Sequence, residues 1–163
     1  MAKNDVKIVD LAGLNTLPSV TWQTEAAATA IYAGEPVKLK AAGSPYAIPL
    51  ADGEPVVGTT TAVLGIAASD STQTASADGT VQVFLPMPGV VYEANAKTAS
   101  TVDSQSEINA LCGDRVVFDL TSTSYTVDAA ATDGSTKGLY IVGGDAVKTV
   151  KFMIRLDATY LSL

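Results

Sequence analysis

Short β-type runs separated by polar turns constrain the fold of this chain most strongly, and residues 58–97 show them most clearly. β-branched and aliphatic residues are concentrated there in short runs, a pattern typical of half-buried strands. The runs contain Val63, Leu64 and Ile66, then Val81, Val83 and Leu85, then Val90 and Tyr92. Turn-forming segments at 69–79 and 86–89 separate the runs. We interpret this stretch as β scaffold, because it contains no cluster of reactive side chains.

A Gly-Glu-Pro-Val phrase occurs twice, at 34–37 and at 53–56. Each copy places a glycine turn before a proline, which has a fixed φ and no amide donor. This combination suits the start of an edge strand. After the first copy, apolar residues alternate with lysines over 37–41, so one face of a strand is predicted to be buried and the other solvated.

The rest of the chain adds strands and leaves one stretch undecided. Residues 24–32 fit either a short helix or the start of a strand. Gly143 and Gly144 are predicted to form the turn of a hairpin. Further strands are predicted at 46–48, 115–120, 125–127, 139–142 and 147–156. Many short strands with one short helix predict a mainly β fold, a single-domain antiparallel β-barrel or β-sandwich.

The one short helix is predicted at about 104–112. Ser104 and Glu107 have the spacing of a capping box, and Gly113 is placed to end the helix. Its apolar stripe consists of Ile108, Leu111 and Cys112. Nothing on this helix suggests chemistry, and we expect it to lie across a sheet or the end of a barrel.

Residues 1–29 are predicted to form an extended N-terminal arm, and residues 30–163 a β-rich body. Gly13 and Pro18 prevent a long regular helix or central strand in the arm. Burying six of its apolar side chains would contribute on the order of 9–18 kcal/mol, whereas ordering about twenty residues costs on the order of 20–40 kcal/mol. The arm therefore needs ladder hydrogen bonds or a partner surface to become ordered. A first strand lying on its own domain is the alternative.

The composition argues against several classes of function. The net charge of −7 and the scattered basic residues predict that the chain does not bind nucleic acid. The chain has no histidine, the commonest general base and transition-metal ligand, so we predict that it is not an enzyme and uses no metal or other cofactor. No apolar run approaches the roughly 20 residues that span a bilayer, and no signal peptide is recognisable. We therefore expect no membrane contact and synthesis in a cytosol.

Three kinds of residue could still form a site. Glu35 and Glu54 are equivalent in the two Gly-Glu-Pro-Val copies and could form a carboxylate pair, but we interpret them as solvated turn residues. Met87 lies between two prolines and could contact a neighbour, although a rigid corner between strands is the simpler interpretation. We expect Cys112, the only cysteine, to be a small buried hydrophobe. Four aspartates lack the spacing of a calcium-binding loop: Asp70, Asp78, Asp128 and Asp133.

Several sequence motifs of this chain resemble those of one family, the head decoration or capsid cement proteins of tailed bacteriophages. The resemblance lies in the start MAKND, in AGEPV at 33–37, and above all in LGIAASDSTQTASADGTVQVFLPMPGVVYEA at 64–94. In that family the order Gly-Ile-Ala, polar turn, Asp-Gly-x-Val-x-Val, proline-rich corner and Tyr-Glu-Ala recurs in small β proteins rich in Ala, Thr and Val. The resemblance covers the middle of the chain, includes no catalytic motif, and has no matching phrase after Leu111.

The resemblance implies a structural virion protein that binds the outer surface of an icosahedral phage head and stabilises the shell. Its partners would be the major capsid protein and copies of itself in a homotrimer, after synthesis in the host cytoplasm. An acidic module suits the exterior of the head better than its DNA-lined interior. The predicted capsid or intersubunit contact residues are Ile8, Val9, Leu11, Leu14, Leu17, Trp22 and Met87.

Two other classes of function make different predictions. A glycan- or receptor-binding β module, such as a head-fibre base, would need an exposed aromatic platform. Aromatic residues make up 6% of the chain, and its one tryptophan, Trp22, lies in the predicted arm. An enzyme would have to use carboxylates without histidine, with Glu35 and Glu54 as the candidates.

Overall fold

The computed structural model describes residues 5–57, 62–130, 134–146 and 148–159. These residues form a mainly β structure of two antiparallel sheets with one short α-helix. Neither sheet closes into a barrel, so the β-sandwich is the predicted alternative that the structure supports.

The strands are, in chain order, β1 (Val6–Asp10), β2 (Ser19–Thr24), β3 (Pro36–Leu39), β4 (Ala47–Pro49), β5 (Val63–Ala67), β6 (Gly79–Phe84), β7 (Val91–Asn95), β8 (Arg115–Thr121), β9 (Ser124–Asp128), β10 (Leu139–Asp145) and β11 (Thr149–Ile154). One sheet has the order β1-β7-β11-β10-β8-β9, and the other has the order β2-β6-β5-β3-β4. Two short 3-10 turns lie at Ala99–Thr101 and Leu156–Ala158. The strand predictions of the sequence are thus confirmed at most positions.

The main hydrophobic core lies on the inner face of the six-stranded sheet and includes residues of both sheets. Three aromatic rings form its centre: Phe152 lies edge-on to Phe118 at 5.4 Å and stacks on Tyr92 at 5.9 Å between ring centroids. Val63 and Ile66 of the five-stranded sheet join the same core. Such offset and edge-to-face aromatic contacts stabilise a core beyond the area that they bury.

A second, smaller core lies on the other face of the five-stranded sheet. It contains Ile31, Val37, Leu39, Ala47, Leu64, Ala67, Val81 and Val83, with Trp22 packed against it. The sheet curls around this core, because a parallel bridge between Gln23 and Tyr46 brings its outer strands β2 and β4 together. The Tyr46 hydroxyl also donates a 2.9 Å hydrogen bond to Asp78 across this junction.

The helix α1 (Gln105–Leu111) confirms the predicted capping box. The Ser104 hydroxyl accepts from the Glu107 amide at 3.4 Å, and the Glu107 carboxylate accepts from the Ser104 amide at 3.1 Å. Ile108 is the buried residue of the helix. The prediction of a buried Cys112 was wrong: the side chain is exposed, because the backbone becomes extended at the end of the helix.

Residues 5–24 contain the strands β1 and β2 joined by a loop, and these strands pair with both sheets of their own chain. β1 runs antiparallel to β7, with Val6 opposite Ala94, and β2 runs antiparallel to β6, with Trp22 opposite Val81. The ladder hydrogen bonds that ordering of this segment requires therefore come from the same chain. This arrangement matches the alternative of a first strand lying on its own domain.

Two local predictions differ from the structure. Of residues 24–32, Thr24 ends β2, and residues 25–32 form turns and irregular backbone, neither a helix nor a new strand. Gly143 and Gly144 lie inside β10, opposite Lys151 and Val150, and the chain turns after them. A Cβ atom on Gly144 would lie 2.6 Å from the Thr149 carbonyl oxygen, so this glycine permits a close approach of two strands.

Candidate functional site

The exposed apolar side chains of the described residues are concentrated near the N terminus. Val9 is 46% exposed, and Leu14 and Val20 are 40% exposed. We call these three residues the N-terminal apolar set. The two other large apolar side chains that are exposed in the described ranges, Val142 and Leu156, lie far away in sequence. A contiguous exposed apolar patch is typical of a surface that contacts another protein, whereas apolar residues exposed singly are normal, so the significance of these three residues lies in their grouping within one segment of the chain.

The seven predicted contact residues have different environments. Val9 and Leu14 are exposed, whereas Leu17 is 3% exposed within the main core and cannot be reached by a partner. Ile8, Leu11 and Met87 are partly buried against the main core, and Trp22 is partly buried against the second core. Val20 was not among the predicted contact residues, because the alternation of apolar and polar residues along β2 does not show which face of the sheet is exposed to solvent.

The proline-rich corner 86–89 lies beside the loop that connects β1 to β2. The Leu85 amide donates a 2.9 Å hydrogen bond to the Pro18 carbonyl. A Cβ atom on Gly89 would lie 3.1 Å from the Ala12 side chain. The structure therefore places the two sequence candidates, the N-terminal segment and the Met87 corner, next to each other.

The prediction that Glu35 and Glu54 are solvated was wrong. Glu35 is 2% exposed and Glu54 is 8% exposed. Each carboxylate accepts a hydrogen bond from the backbone amide three residues before it, at 3.0 Å from Tyr32 and at 2.8 Å from Ala51. The repeated phrase thus encodes the same carboxylate-closed turn twice, and its glutamates satisfy backbone donors within the fold.

The further described contacts of the two glutamates lie in different parts of the fold. The ammonium group of Lys38, on β3, lies 2.6 Å from Glu54 Oε1 and forms a mostly buried ion pair with it. Glu35 lies in the wall of a cavity of about 240 Å³. The cavity is lined by Thr29, Ala30, Tyr32, Glu35, Pro49, Leu120, Ser122, Thr123 and Tyr125.

Tyr125 occupies the inner end of this cavity. Its ring packs edge-on to Phe118, and its hydroxyl donates a 2.5 Å hydrogen bond to the Leu50 carbonyl. Its own backbone amide donates to the Asp5 carboxylate at 2.8 Å. Burial and then the negative charges of Glu35, Glu54 and Asp5 raise the pKa of the Tyr125 hydroxyl. Burial and these carboxylates therefore both disfavour the ionised form of the Tyr125 hydroxyl.

The aspartates considered in the sequence serve the fold. Asp78 accepts from the Ala26 amide at 2.8 Å, and Asp70 accepts from the Ala33 amide at 2.9 Å. Asp128 lies 3.1 Å from the Lys97 ammonium group, whereas Asp133 lies outside the described residues. Within the described ranges, no group of three or more acidic or cysteine side chains is arranged to hold a metal ion.

Comparisons with known proteins assign no family. No protein-family model, no curated protein and no solved structure gives a significant match to the chain. None of the helices in the described parts of the chain has the length and apolar character needed to cross a bilayer.

Proposed function

We propose that the chain is a structural decoration protein that binds the outer surface of an icosahedral phage head and stabilises the shell, as a homotrimer on the major capsid protein. The observation that carries this proposal is the N-terminal apolar set, three of the five exposed large apolar side chains in the described residues. The sequence resemblance at 64–94 is the reason for proposing the phage decoration family. A β-sandwich that exposes apolar side chains in one segment suits a protein whose role is binding.

The position of the contact segment supports this role. β1 and β2 are outer strands of the two sheets, and their exposed side chains can meet a neighbouring molecule. One edge of each strand is held by β7 or β6 of the same chain. The contact surface is therefore preorganised, which lowers the entropic cost of binding.

The net charge of −7 further supports an external position. The interior of a head is lined by DNA, whose phosphates repel an acidic protein. Closed symmetry would present three copies of the N-terminal apolar set together, so weak individual contacts could add through a high effective concentration.

The test is a triple substitution in the N-terminal apolar set, measured on heads that lack the decoration protein. Val9→Thr, Leu14→Ser and Val20→Thr keep the strand-forming shape of the valines and remove apolar contact area. We expect about tenfold or more weaker binding to the heads, because each side chain would lose part of its buried apolar area. Occupancy would be measured by co-sedimentation of labelled protein with the heads.

The chain offers a matched control in its other two exposed apolar residues. Val142→Thr with Leu156→Ser makes the same kinds of change outside the N-terminal segment. This control is expected to bind as tightly as the unmodified protein. Equal occupancy by the triple variant and the control would contradict the assignment of the contact surface, and absence of binding by the unmodified protein would contradict the capsid function.

A further inference from the structure

We propose that one water molecule is bound within the protein between the side-chain oxygens of Thr24 and Gln73. It would join the end of β2 to the segment 69–78, which connects β5 to β6. This buried water site shares no residue with the N-terminal apolar set, and the inference does not depend on the capsid function.

Two buried oxygen atoms motivate the proposal. Thr24 is 1% exposed, and the Oε1 atom of the partly buried Gln73 is also shielded from solvent. Among the residues that the structure describes, neither the Thr24 hydroxyl nor Gln73 Oε1 has a hydrogen-bond partner. Burying a polar group without a hydrogen bond costs free energy, and ordered water commonly satisfies such groups in native proteins.

The hydrogen bonds of the Gln73 side chain fix which end of its amide carries the oxygen. The Nε2 atom donates to the Thr29 carbonyl at 3.2 Å and lies 3.5 Å from the Ala28 carbonyl. Carbonyl oxygens accept hydrogen bonds and cannot donate them, so this end of the amide must be the nitrogen. Gln73 Oε1 therefore points away from these carbonyls and requires a donor of its own.

The strand register brings Thr24 and Gln73 to the same face of the five-stranded sheet. Thr24 lies opposite Gly79, and its side chain is on the same face of β2 as Trp22, which packs against the second core. A Cβ atom on Gly79 would lie 2.1 Å from the backbone nitrogen of Gln73, so Gln73 passes directly over this glycine. Side chains of opposite residues start about 5 Å apart, so Thr24 and Gln73 border the same buried space.

A water molecule has the hydrogen-bonding capacity that these two oxygens require. The Gln73 oxygen only accepts, whereas the Thr24 hydroxyl both donates and accepts. One water can donate to Gln73 Oε1 and accept from the Thr24 hydroxyl, which satisfies both groups together. Buried waters make about two to four such bonds, and the two side chains supply the minimum.

The direct test is a high-resolution crystal structure of the full-length protein. We expect one ordered water within about 2.7–3.2 Å of both the Thr24 hydroxyl and Gln73 Oε1. A direct hydrogen bond between the two side chains, or density that places no water within reach of both oxygens, would overturn the proposal.

The sign of a stability change gives a second test. Thr24→Val keeps the shape of the side chain and removes the hydroxyl. Loss of the bond to a bound water should raise the equilibrium constant for unfolding about fivefold or more. If the hydroxyl has no partner, the same substitution removes an unsatisfied group and should stabilise the protein instead. Thr21→Val, at an exposed position of the same strand, is the matched control and should have little effect.

A double-mutant cycle tests whether the two side chains share one ligand. Gln73→Met removes the second oxygen while keeping an unbranched side chain of similar length. Because one water serves both groups, Thr24→Val should destabilise the Gln73→Met protein less than it destabilises the unmodified protein. Urea titrations of the four proteins measure this coupling. Equal effects of Thr24→Val in the two backgrounds, or stabilisation by Thr24→Val alone, would overturn the proposal.

Discussion

Asp119 shows how a single buried carboxylate can contribute to the stability of the sandwich. It is 6% exposed on β8 and lies 2.7 Å from the ammonium group of Lys97. The Thr121 hydroxyl also donates to it at 2.7 Å. The hydrogen bond from Lys97 is the main cause that holds the pKa of Asp119 below its usual value of 3.8, against the opposing effect of burial. The charged form of this carboxylate is thus the one that the fold stabilises.

This shift in pKa predicts a pH dependence of stability. Because the folded-state pKa is lowered, the contribution of Asp119 is present above pH 3.8 and is lost as the pH falls through the lower folded-state value. Asp119→Asn should reduce the free energy of unfolding by about 1.5–3 kcal/mol at pH 7, as expected for losing hydrogen bonds to a charged group. The difference from the unmodified protein should narrow below pH 3.

Urea titrations at pH 7 and pH 2.5 would measure this effect. Asp157→Asn is the control, because its ion pair with Arg155 is exposed and should contribute little. A destabilisation by Asp119→Asn that is the same at both pH values would show that the charge of Asp119 has no part in the stability.

At the scale of single residues, the sequence could not show which acidic side chains are buried. Glu35 and Glu54 follow glycines in turn-forming phrases, and such positions are ordinarily solvated. Their burial depends on groups that tertiary folding brings to them, Lys38 beside Glu54 and Tyr125 near Glu35. The internal repeat was nevertheless visible in the sequence, and each copy forms the same hydrogen bond between its glutamate carboxylate and the backbone amide three residues earlier.

Among the strands, β5 contributes side chains to both hydrophobic cores. All five of its residues are buried. A register irregularity between Val37 and Lys38 of the neighbouring β3 lies opposite Gly65. A Cβ atom on Gly65 would lie 1.9 Å from the Phe84 carbonyl oxygen and 2.9 Å from the Val83 side chain. Glycine at 65 therefore allows β5 and β6 to approach closely.

We predict that Gly65→Ala destabilises the fold by at least about 1–3 kcal/mol, since the clash is with backbone that cannot move without disturbing β6. Gly143→Ala is the matched control within β10, where a Cβ atom would meet no atom within 4 Å. That substitution should be neutral or slightly stabilising. Thermal unfolding of the two variants gives the comparison, and equal midpoints would contradict the close approach at Gly65.

The sequence predicted elements well where a local signal determines them. β-branched runs between turns located β5, β6 and β7, and the Ser104 and Glu107 pair located α1. Local signals of this kind do not predict which strands pair, because pairing joins distant parts of the chain: β1 pairs with β7 across more than eighty residues. The misplaced turn at Gly143 and Gly144 has the same origin: glycine marks both turns and close strand contacts, and sequence does not distinguish them.

At the scale of the whole molecule, the N-terminal segment belongs to both sheets. β1 forms the edge of the six-stranded sheet, and β2 forms the edge of the five-stranded sheet. Leu17, between them, is buried in the main core. Deleting this segment would remove structure as well as the proposed contact surface, so a test of the proposed capsid binding needs surface substitutions such as Leu14→Ser that leave both ladders intact.

The two hydrophobic cores are predicted to unfold together, because β5 contributes to each. Val63 and Ile66 pack in the main core, whereas Leu64 and Ala67 pack in the second. Loss of either core would leave one face of β5 exposed to water, which costs about 25 cal/mol for each Å² of apolar area.

Trp22, the only tryptophan, packs against the second core, so its fluorescence reports on that core. Far-ultraviolet circular dichroism reports on both sheets, and urea transitions followed by the two probes should coincide. Leu64→Ala should shift both transitions to lower urea by the same amount, even though its side chain lies in the second core. A fluorescence transition that precedes the dichroism transition, or that shifts without it in Leu64→Ala, would show that the curled sheet unfolds as an independent unit.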